Sequence, residues 1–272
     1  MIKILLVGCG HMGSALLSSW LKKTKYSFSV LDPSEPKKIT KKFKKKIIYF
    51  KSINEIKNIN QFNVIIFAVK PQIANTVVKQ FNKSYKKNIL YISIVAGKKI
   101  NSFKKDINPF IEIVRVMPNM AAVIEQSISC LVSNSSVSKK NIKIAENLFK
   151  IVGKTIWFKK ESDLDKATSI SGSGPGYYFL FIECLEAVAK ELGFNSNIAK
   201  KLVYQTAKGS VDLLEHSDDD AKKLKNTIAV RGGTTEAAIN VFQKNHQLKK
   251  IIKQAIMAAL KKSIDLGKNK HG

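Results

Sequence analysis

The chain has 272 residues, 44% of them hydrophobic, with 14 glycines and 6 prolines, which allows one or two globular domains and excludes a collagen-like or disordered chain. It has no apolar run of about 18 residues, which argues against a membrane-spanning helix, and its widely spaced cysteines (Cys9, Cys130 and Cys184) favour a reducing cytoplasm over a disulfide framework. The net charge of +27 comes from 47 basic residues of which only two are arginines, so we interpret it as solvated surface, with a polyanion-binding surface as the alternative.

The first half of the chain alternates short apolar runs with amphipathic helical segments. A nearly continuous apolar run is typical of a strand that is buried on both faces. Strands that are separated by helices imply right-handed crossovers, so we predict a parallel, doubly wound sheet. The predicted strands are Ile2–Val7, Phe28–Leu31, Ile47–Phe50, Val64–Val69, Ile89–Ile94 and Ile111–Val116, and two later ones, near Ser129–Val132 and Thr155–Phe158, are expected to finish the sheet.

The pattern changes after about Glu161, beyond which apolar residues recur at helical spacing and no strand is predicted. Gly174-Pro175-Gly176 opens the first of these helices and Gly193 ends it. The remaining helices are predicted from about Ile198 to Leu214, from Asp218, from Thr234, and from about Leu248 to Leu266. We therefore predict two domains, residues 1–160 with the sheet and residues 161–272 with helices alone.

The hexapeptide Gly8-Cys9-Gly10-His11-Met12-Gly13 lies between the first strand and the first helix, which is the context that the dinucleotide-binding fingerprint requires. Its first glycine makes the tight turn, the second admits a pyrophosphate, and the third lets helix and strand pack closely. The other residues are expected to contribute backbone N–H groups, which a helix N-terminus offers to phosphates. The sequence thus predicts a Rossmann-type domain that binds NADH or NADPH.

The second strand ends at Asp32, close to the expected distance after the glycines. An acidic residue there usually binds the ribose hydroxyls of NADH and disfavours the 2′-phosphate of NADPH. Ser34, Lys37 and Lys38 follow at once, however, and could hold that phosphate. The choice between NADH and NADPH therefore stays open.

The ends of later strands supply further candidates, because parallel sheets bind ligands at their carboxyl edge. Lys70 and Pro71 follow the fourth strand, and Lys70 is expected to point at the cofactor crevice. Ala96 follows the fifth strand, where the nicotinamide half of the cofactor should lie. Arg115 near the end of the sixth strand is either a functional residue or a structural clamp on buried carbonyls.

Two glycine–hydroxyl clusters precede helices in the second half, Ser171-Gly172-Ser173-Gly174-Pro175 and Arg231-Gly232-Gly233-Thr234-Thr235-Glu236. Each is expected to gather free N–H donors and hydroxyls that suit a small carboxylate, although capping alone explains one such cluster. No histidine in this region suggests a base that would make Ser173 a nucleophile. The run Asp218–Asp220 is interpreted as complementing a helix dipole, and no metal site is predicted.

Together these segments resemble the pyrroline-5-carboxylate reductase family over essentially the whole chain. The markers are the glycine loop, Ala68-Val69-Lys70-Pro71, Val116-Met117-Pro118-Asn119, Ser171 to Pro175, Gln205-Thr206, and Gly232-Gly233-Thr234-Thr235 followed by Ala237-Ala238-Ile239 and Phe242. The chain departs from the family pattern in having Val230-Arg231 in place of Ser-Pro, Gly176 in place of Ala, and Thr227 where Asn is common. These departures concern the substrate loops.

The resemblance implies NADPH- or NADH-dependent reduction of 1-pyrroline-5-carboxylate to L-proline in the cytoplasm, by hydride transfer to the imine carbon. It also implies a helical domain that forms an intertwined homodimer, which often assembles further. The substrate site then lies between the cofactor of one subunit and the helical domain of its neighbour. The implied catalytic group is the hydroxyl of Thr235, which orients the imine nitrogen.

Two alternatives remain at this stage. A dehydrogenase of the 3-hydroxyacid type shares the layout but needs a catalytic lysine motif in the second half, which we do not find. A non-catalytic nucleotide-binding protein could have kept the fold, although the intact glycines and threonines argue against it. The predicted cofactor-binding residues are Gly8, Cys9, Gly10, His11, Met12, Gly13, Asp32, Ser34, Asn54, Ala68, Val69, Lys70, Pro71 and Ala96, and the predicted substrate-binding residues are Ser173, Gly232, Gly233, Thr234 and Thr235.

Overall fold

The computed structural model describes residues 1–35, 46–82 and 89–268. Lys37 and Lys38, which were candidates for holding a 2′-phosphate, lie outside the described residues. The strands are β1 (Lys3–Val7), β2 (Ser27–Leu31), β3 (Ile47–Phe50), β4 (Val64–Phe67), β5 (Leu90–Ser93), β6 (Glu112–Met117), β7 (Ser127–Ser133) and β8 (Gly153–Trp157). The helices among them are α1 (His11–Lys23), α2 (Pro71–Lys79), α3 (Ile100–Asp106), α4 (Lys139–Lys150) and α5 (Glu161–Ala167).

All eight strands belong to one sheet with the order β3-β2-β1-β4-β5-β6-β7-β8. The strands β1 to β6 are parallel, and the order reverses between β1 and β4, which creates the crevice where doubly wound sheets bind ligands. The prediction of a parallel sheet was wrong for one pair, because β7 runs antiparallel to β6. Only a short 3₁₀ segment, Met120–Ile124, joins those two strands, whereas a parallel pair needs a crossover of a dozen or more residues.

The sheet is covered on both faces, as the apolar strands predict. One face packs on α1 and α4, where the fully buried Trp20 donates its indole N–H to the carbonyl of Leu148 at 2.7 Å. The other face packs on α2, α3 and α5 through residues such as Phe103 and Leu164, neither of which is exposed. Burying every side chain of β4 in this way stabilises the sheet and fixes its register.

The chain divides into two compact units. The sheet unit comprises residues 1–173 and 259–272, and the helical unit comprises residues 174–258. The predicted division at residue 160 stays a proposal about domains. Five helices beyond the sheet were predicted and are present in the described residues, α6 (Gly174–Glu191), α7 (Ser196–Glu215), α8 (Ala221–Ile228), α9 (Thr234–Gln243) and α10 (Gln247–Lys268).

The helical unit leaves much apolar surface uncovered. Of the 18 residues of α6 only Gly174 is buried, and Tyr178 and Phe179 are 68% and 66% exposed. In α7, which packs against α6, only Ala199 and Val203 are buried. Contiguous apolar surface of this kind marks an interaction site. No helix in the described parts of the chain is both long and apolar enough to cross a membrane.

Candidate active site

The glycine loop joins β1 to α1 with the geometry that its sequence predicts. Gly8 has a φ of +91°, and a Cβ atom there would lie 2.8 Å from the Ala68 carbonyl oxygen. A Cβ atom on Gly13 would lie 2.5 Å from the Gly8 carbonyl oxygen, so neither position tolerates a side chain. A Cβ atom on Gly10, in contrast, would have no atom within 4 Å. The loop is therefore closed against the protein at Gly8 and Gly13 and open at Gly10.

The first turn of α1 is available to an anion. Gly10 is its N-cap, no side chain caps it, and no acidic residue lies in the turn. The first N–H that bonds back into the helix belongs to Ser14, at 2.9 Å from the Gly10 carbonyl oxygen. The N–H groups of His11, Met12 and Gly13 consequently have no acceptor among the described residues, and the helix dipole adds a partial positive charge there.

Asp32 is hydrogen-bonded to this loop. Its Oδ2 accepts the Cys9 N–H at 2.7 Å and its Oδ1 accepts the Ser34 N–H at 2.8 Å. Burial, and secondly the Asp32 charge, raises the pKa of the Cys9 thiol to about 12, so that thiol is neutral at physiological pH. The Cys9 backbone N–H was expected to be available to a phosphate, but it is already committed to Asp32.

The neighbouring strand ends lie beside the glycine loop. A Cβ atom on Gly8 would also lie 2.8 Å from the Val69 Cγ1, and one on Gly13 would lie 3.4 Å from the Ala68 Cβ, so both strand-end residues border the loop. Lys70 is the exposed N-cap residue of α2, and Pro71 is the first residue of that helix. Ala96 is half-buried in the turn after β5. The predicted residue Asn54 is exposed in a 3₁₀ segment, Ile53–Glu55, that follows β3.

These observations fit a nicotinamide dinucleotide. The open Gly10 position and the unpaired N–H groups of α1 suit a pyrophosphate, whose charge they complement. The β2 end at Asp32 and the β5 end at Ala96 lie on opposite sides of the β1–β4 crevice. The described residues contain no group of three or more side chains that could hold a metal ion.

A second cluster in the sheet unit joins two segments that are far apart in sequence. Asn119, which follows β6, donates its Nδ2–H to the Ser171 carbonyl oxygen at 3.1 Å and accepts the Ala121 N–H on its Oδ1. Ser171 also lies 3.8 Å from the Cys130 sulfur, between their side-chain Oγ and Sγ atoms. The sequence indicates Asn119 only as part of a family motif and does not predict this bridging role.

The segment from Ser171 to Ser173 is helical rather than an open loop. It continues from α5 through a π-helical turn, Thr168–Gly172, and the Ser173 N–H donates to the Thr168 carbonyl oxygen at 3.0 Å. The expectation that this cluster gathers free N–H groups was therefore wrong at Ser173. Short π-helical turns are common at functional sites because they reorient a few residues.

The Gly232–Thr235 turn in the helical unit has free N–H groups only at its two threonines, so the expectation of free donors was wrong at Gly232 and Gly233. Gly232 has a φ of +75°, and Gly233 is the N-cap residue of α9. The Gly232 N–H is satisfied by the Glu236 carboxylate at 2.7 Å, and the Gly233 N–H by the Val230 carbonyl oxygen at 3.0 Å. The N–H groups of Thr234 and Thr235 have no acceptor among the described residues.

Thr235 is half-buried, and its hydroxyl makes no hydrogen bond within the part of the chain that the structure describes. Thr235 does not cap α9, because Gly233 is the N-cap residue and no side chain forms a capping hydrogen bond. Thr234 beside it is exposed. The sequence did not indicate a role for Glu236. Its carboxylate accepts a hydrogen bond from the backbone of Gly232, four residues earlier, and so stabilises the turn.

Arg115 has a structural partner. Its Nη1–H donates to the Glu161 Oε1 at 2.6 Å, and the arginine side chain is 2% exposed. Of the two roles expected for Arg115, the structural one is closer, but its partner is the Glu161 carboxylate and not a set of buried carbonyl groups.

A doubly wound sheet with an open glycine loop, joined to a helical unit with an unfilled helix N-terminus, defines a nicotinamide-dinucleotide-dependent oxidoreductase. Residues 161–266 match the family model "Pyrroline-5-carboxylate reductase dimerisation", and residues 3–97 match "NADP oxidoreductase coenzyme F420-dependent". The chain is 31% identical to pyrroline-5-carboxylate reductase 2 of Bacillus subtilis over 89% of this chain and 87% of that one. It belongs to the pyrroline-5-carboxylate reductase family, as its motifs predicted.

Solved structures agree with this assignment. The pyrroline carboxylate reductase of Plasmodium falciparum, solved with NADP bound, has a TM-score of 0.87 and 31% identity over 98% of both chains. The enzyme of Coxiella burnetii has a TM-score of 0.86 and 27% identity over 98% of both chains. The predicted fold class, a Rossmann-type sheet domain with a helical dimerisation domain, is confirmed.

Proposed function

We propose that this protein reduces the cyclic imine 1-pyrroline-5-carboxylate to L-proline with NADPH or NADH, as the last step of proline biosynthesis. The observation that carries the proposal is the family match along the whole chain, combined with an open dinucleotide loop and an unpaired Thr235 hydroxyl at a helix N-terminus. The protein is an oxidoreductase that acts on a carbon–nitrogen double bond.

The sheet unit binds and orients the dinucleotide, which supplies the hydride when it is bound. The α1 N-terminus holds the pyrophosphate beside Gly10, and Asp32 fixes the loop through the Cys9 N–H. Lys70 and Pro71 line the crevice after β4, and Ala96 faces the nicotinamide half. His11, Met12, Gly13, Asn54, Ala68, Val69 and Ser34 complete the proposed cofactor site.

The turn from Gly232 to Thr235 binds the substrate carboxylate. A Cβ atom on Gly232 would have no atom within 4 Å, so the turn is accessible there, and the Thr234 and Thr235 N–H groups supply donors at the positive end of the α9 dipole. The Glu236 carboxylate accepts the Gly232 N–H, so the free donors left for the substrate carboxylate are those of Thr234 and Thr235. Ser173 adds a hydroxyl to the substrate site.

With the carboxylate held there, the imine nitrogen lies within reach of the Thr235 hydroxyl. That hydroxyl orients the nitrogen and donates a hydrogen bond to the lone pair that forms there as hydride adds to the imine carbon. The proton that completes the amine comes from water, directly or because the substrate binds as the iminium ion. A donor that is fixed before the reaction stabilises the transition state at little reorganisation cost. We assign Thr235 as the catalytic residue on this basis.

The protein forms homo-oligomers through its dimerisation domain, and we propose that the basic unit is an intertwined dimer in the cytoplasm. The apolar side chains of α6, α7 and α10 support this, since 54% exposure of Val211 and of Ile251 is unfavourable in an isolated chain. In the proposed dimer the helical domain of one subunit completes the substrate site beside the cofactor of the other. Larger assemblies would be built from such dimers.

The direct test is oxidation of NADPH and NADH, followed by the loss of the absorbance of the reduced nicotinamide, with synthetic 1-pyrroline-5-carboxylate as substrate. We expect turnover with the imine and formation of L-proline in equal amount to the cofactor oxidised. Turnover of a 3-hydroxyacid instead would favour the dehydrogenase alternative. Cofactor binding without turnover of either compound would favour the non-catalytic alternative.

A further inference from the structure

The turn after β5 lies at the nicotinamide end of the proposed cofactor site. This turn, Ile94–Lys99, connects β5 to α3 and carries Ala96. β5 is separated from β1 by β4, whereas Asp32 on the adenosine side follows β2 on the opposite flank of β1. A dinucleotide that crosses the glycine loop therefore has its nicotinamide end toward this turn.

Lys98 holds the turn to both neighbouring helices. It is 7% exposed, and its Nζ donates to the Asn75 Oδ1 on α2 at 2.6 Å and to the Asp106 Oδ2 on α3 at 2.5 Å. It also lies 5.0 Å from the centre of the Phe103 ring. A lysine is rarely buried without partners, and here the partners fix its position.

Glu161 holds the other end of the turn. Its Oε1 accepts the Ile100 N–H at 2.8 Å and the Arg115 Nη1–H at 2.6 Å. One carboxylate oxygen thus joins the first residue of α3 to β6 through the buried arginine. Charge-assisted hydrogen bonds of this kind are shorter and stronger than neutral ones, so they define a geometry closely.

The end of α10 closes on the same turn. Gly97 has a φ of +79°, and a Cβ atom there would lie 2.8 Å from the Leu266 backbone. A Cβ atom on Gly267 would lie 2.8 Å from the Gly97 carbonyl oxygen. α10 is itself fixed to α5 by the buried hydrogen bond from Ser263 to Asp165. Backbone contact this close leaves the turn little room to move.

We propose that Glu161, together with Arg115, is a positioning residue that presets the Ile94–Lys99 turn for the nicotinamide half of the dinucleotide. Neither side chain touches the cofactor in this account. They act by fixing the Ile100 N–H and hence the backbone on which Ala96 lies. A turn that is ordered before binding avoids the entropy cost of ordering it on binding. The inference rests on the proposed function only in assuming that a dinucleotide binds.

A purely structural ion pair would have a different signature. Removing Glu161 alone leaves the buried Arg115 charge without its partner, so a purely structural role would show as a lower Tm with no selectivity among ligands. A general loss of packing in the sheet unit would weaken every cofactor contact alike. A positioning role predicts a selective loss, confined to ligands that reach the β5 turn.

The test measures dissociation constants for Glu161→Ala and Glu161→Gln with two kinds of probe. NADPH and NADH reach the turn, whereas AMP and 2′,5′-ADP carry only the adenosine half. Asp163→Ala is the matched control, because Asp163 is the other acidic residue in the first turn of α5 and pairs only with Lys166 in the described residues. Glu161→Gln keeps an acceptor for the Ile100 N–H and serves if Glu161→Ala fails to fold.

We expect Glu161→Ala to weaken binding of the better dinucleotide about tenfold and Glu161→Gln about threefold, with the adenosine fragments within about twofold of wild type. Asp163→Ala should leave all constants unchanged. The proposal is overturned if the Glu161 variants bind the dinucleotides as wild type does, or if they lose the fragments and the dinucleotides in parallel. Because no imine substrate is used, failure here is distinct from failure of the proposed reaction.

Discussion

The sheet unit and the helical unit bury their apolar residues to very different extents. In α1 of the sheet unit Leu16, Leu17 and Trp20 are fully buried, and the strands β4 and β5 have no exposed residue. The helix α6 of the helical unit is also rich in apolar residues, but most of their side chains are exposed to solvent. Apolar area removed from water is the main favourable term in folding. The sheet unit therefore buries its apolar residues within one chain, whereas the helical unit, which matches a dimerisation domain, leaves apolar surface for association.

The largest effect should follow from placing a charge on the uncovered face of α6. In the proposed dimer, Phe179→Glu would bury two carboxylates, one from each subunit, in an apolar interface, so we expect association to weaken by roughly a thousandfold or more. Phe110→Glu is the matched control, since Phe110 is 75% exposed in the sheet unit and should tolerate the charge. Sedimentation velocity measures both; equal behaviour of the two variants would remove the contrast between the units.

Loss of the Thr235 hydroxyl should abolish most activity without loosening the fold. Thr235→Val keeps the shape, and we expect kcat/KM to fall at least about a hundredfold, the scale for a lost positioned donor. Thr235→Ser retains a hydroxyl and should keep most activity.

Thermal melting provides the structural control for Thr235. The hydroxyl has no partner in the described residues, and Gly233 is the N-cap, so Tm should barely change. A Thr235→Val variant that melts earlier yet retains activity within about threefold would assign the residue to helix capping instead, whose loss costs about 1 kcal/mol.

The glycines allow a comparison between the two units with one type of substitution. A methyl group on Gly10 meets no protein atom but enters the space proposed for the pyrophosphate. We therefore expect Gly10→Ala to leave Tm unchanged and to weaken dinucleotide binding by about tenfold or more. Gly176→Ala in α6 also meets no atom and should stabilise the protein by up to about 1 kcal/mol with binding intact. Calorimetric titration and melting would show whether the two effects separate.

The smallest effect concerns the choice of cofactor. Replacing Asp32 by serine removes a charge that disfavours the 2′-phosphate, so the NADPH-to-NADH ratio of kcat/KM should rise roughly tenfold. Affinity for both cofactors should also fall, because the Asp32 carboxylate accepts the N–H groups of Cys9 and Ser34. A ratio that stays constant would mean that Asp32 fixes the loop and does not discriminate between the cofactors.

The sequence predicted the elements of both units well. Strands such as β4 are short apolar runs, and the glycine loop lies between a strand and a helix, the context in which its spacing indicates a dinucleotide-binding turn. The antiparallel direction of β7 was missed because direction depends on the length of the connection, which the 3₁₀ segment Met120–Ile124 sets. Apolar periodicity carries no information about strand direction.

Long-range polar partners were not predictable in the same way. Glu161 lies 46 residues from Arg115, and Asn119 lies 52 residues from Ser171. Such bonds form only after the sheet has brought the segments together. The sequence offered one signal for the Arg115 ion pair, namely its composition. The chain is rich in lysine and has only two arginines, and Arg115, one of the two, is buried. The catalytic assignment of Thr235 came from family resemblance rather than from local pattern.

The most direct test of the account is complementation between two inactive variants in one dimer. Gly10→Ala weakens cofactor binding and Thr235→Val removes the catalytic hydroxyl. With the cofactor well below the dissociation constant of the Gly10→Ala variant, the first homodimer should keep about a tenth of wild-type activity or less and the second about a hundredth or less. If each site combines the cofactor of one subunit with the helical domain of the other, a purified heterodimer of the two has one intact site and should show about half of the wild-type activity per dimer. A heterodimer as inactive as its parents would contradict the account.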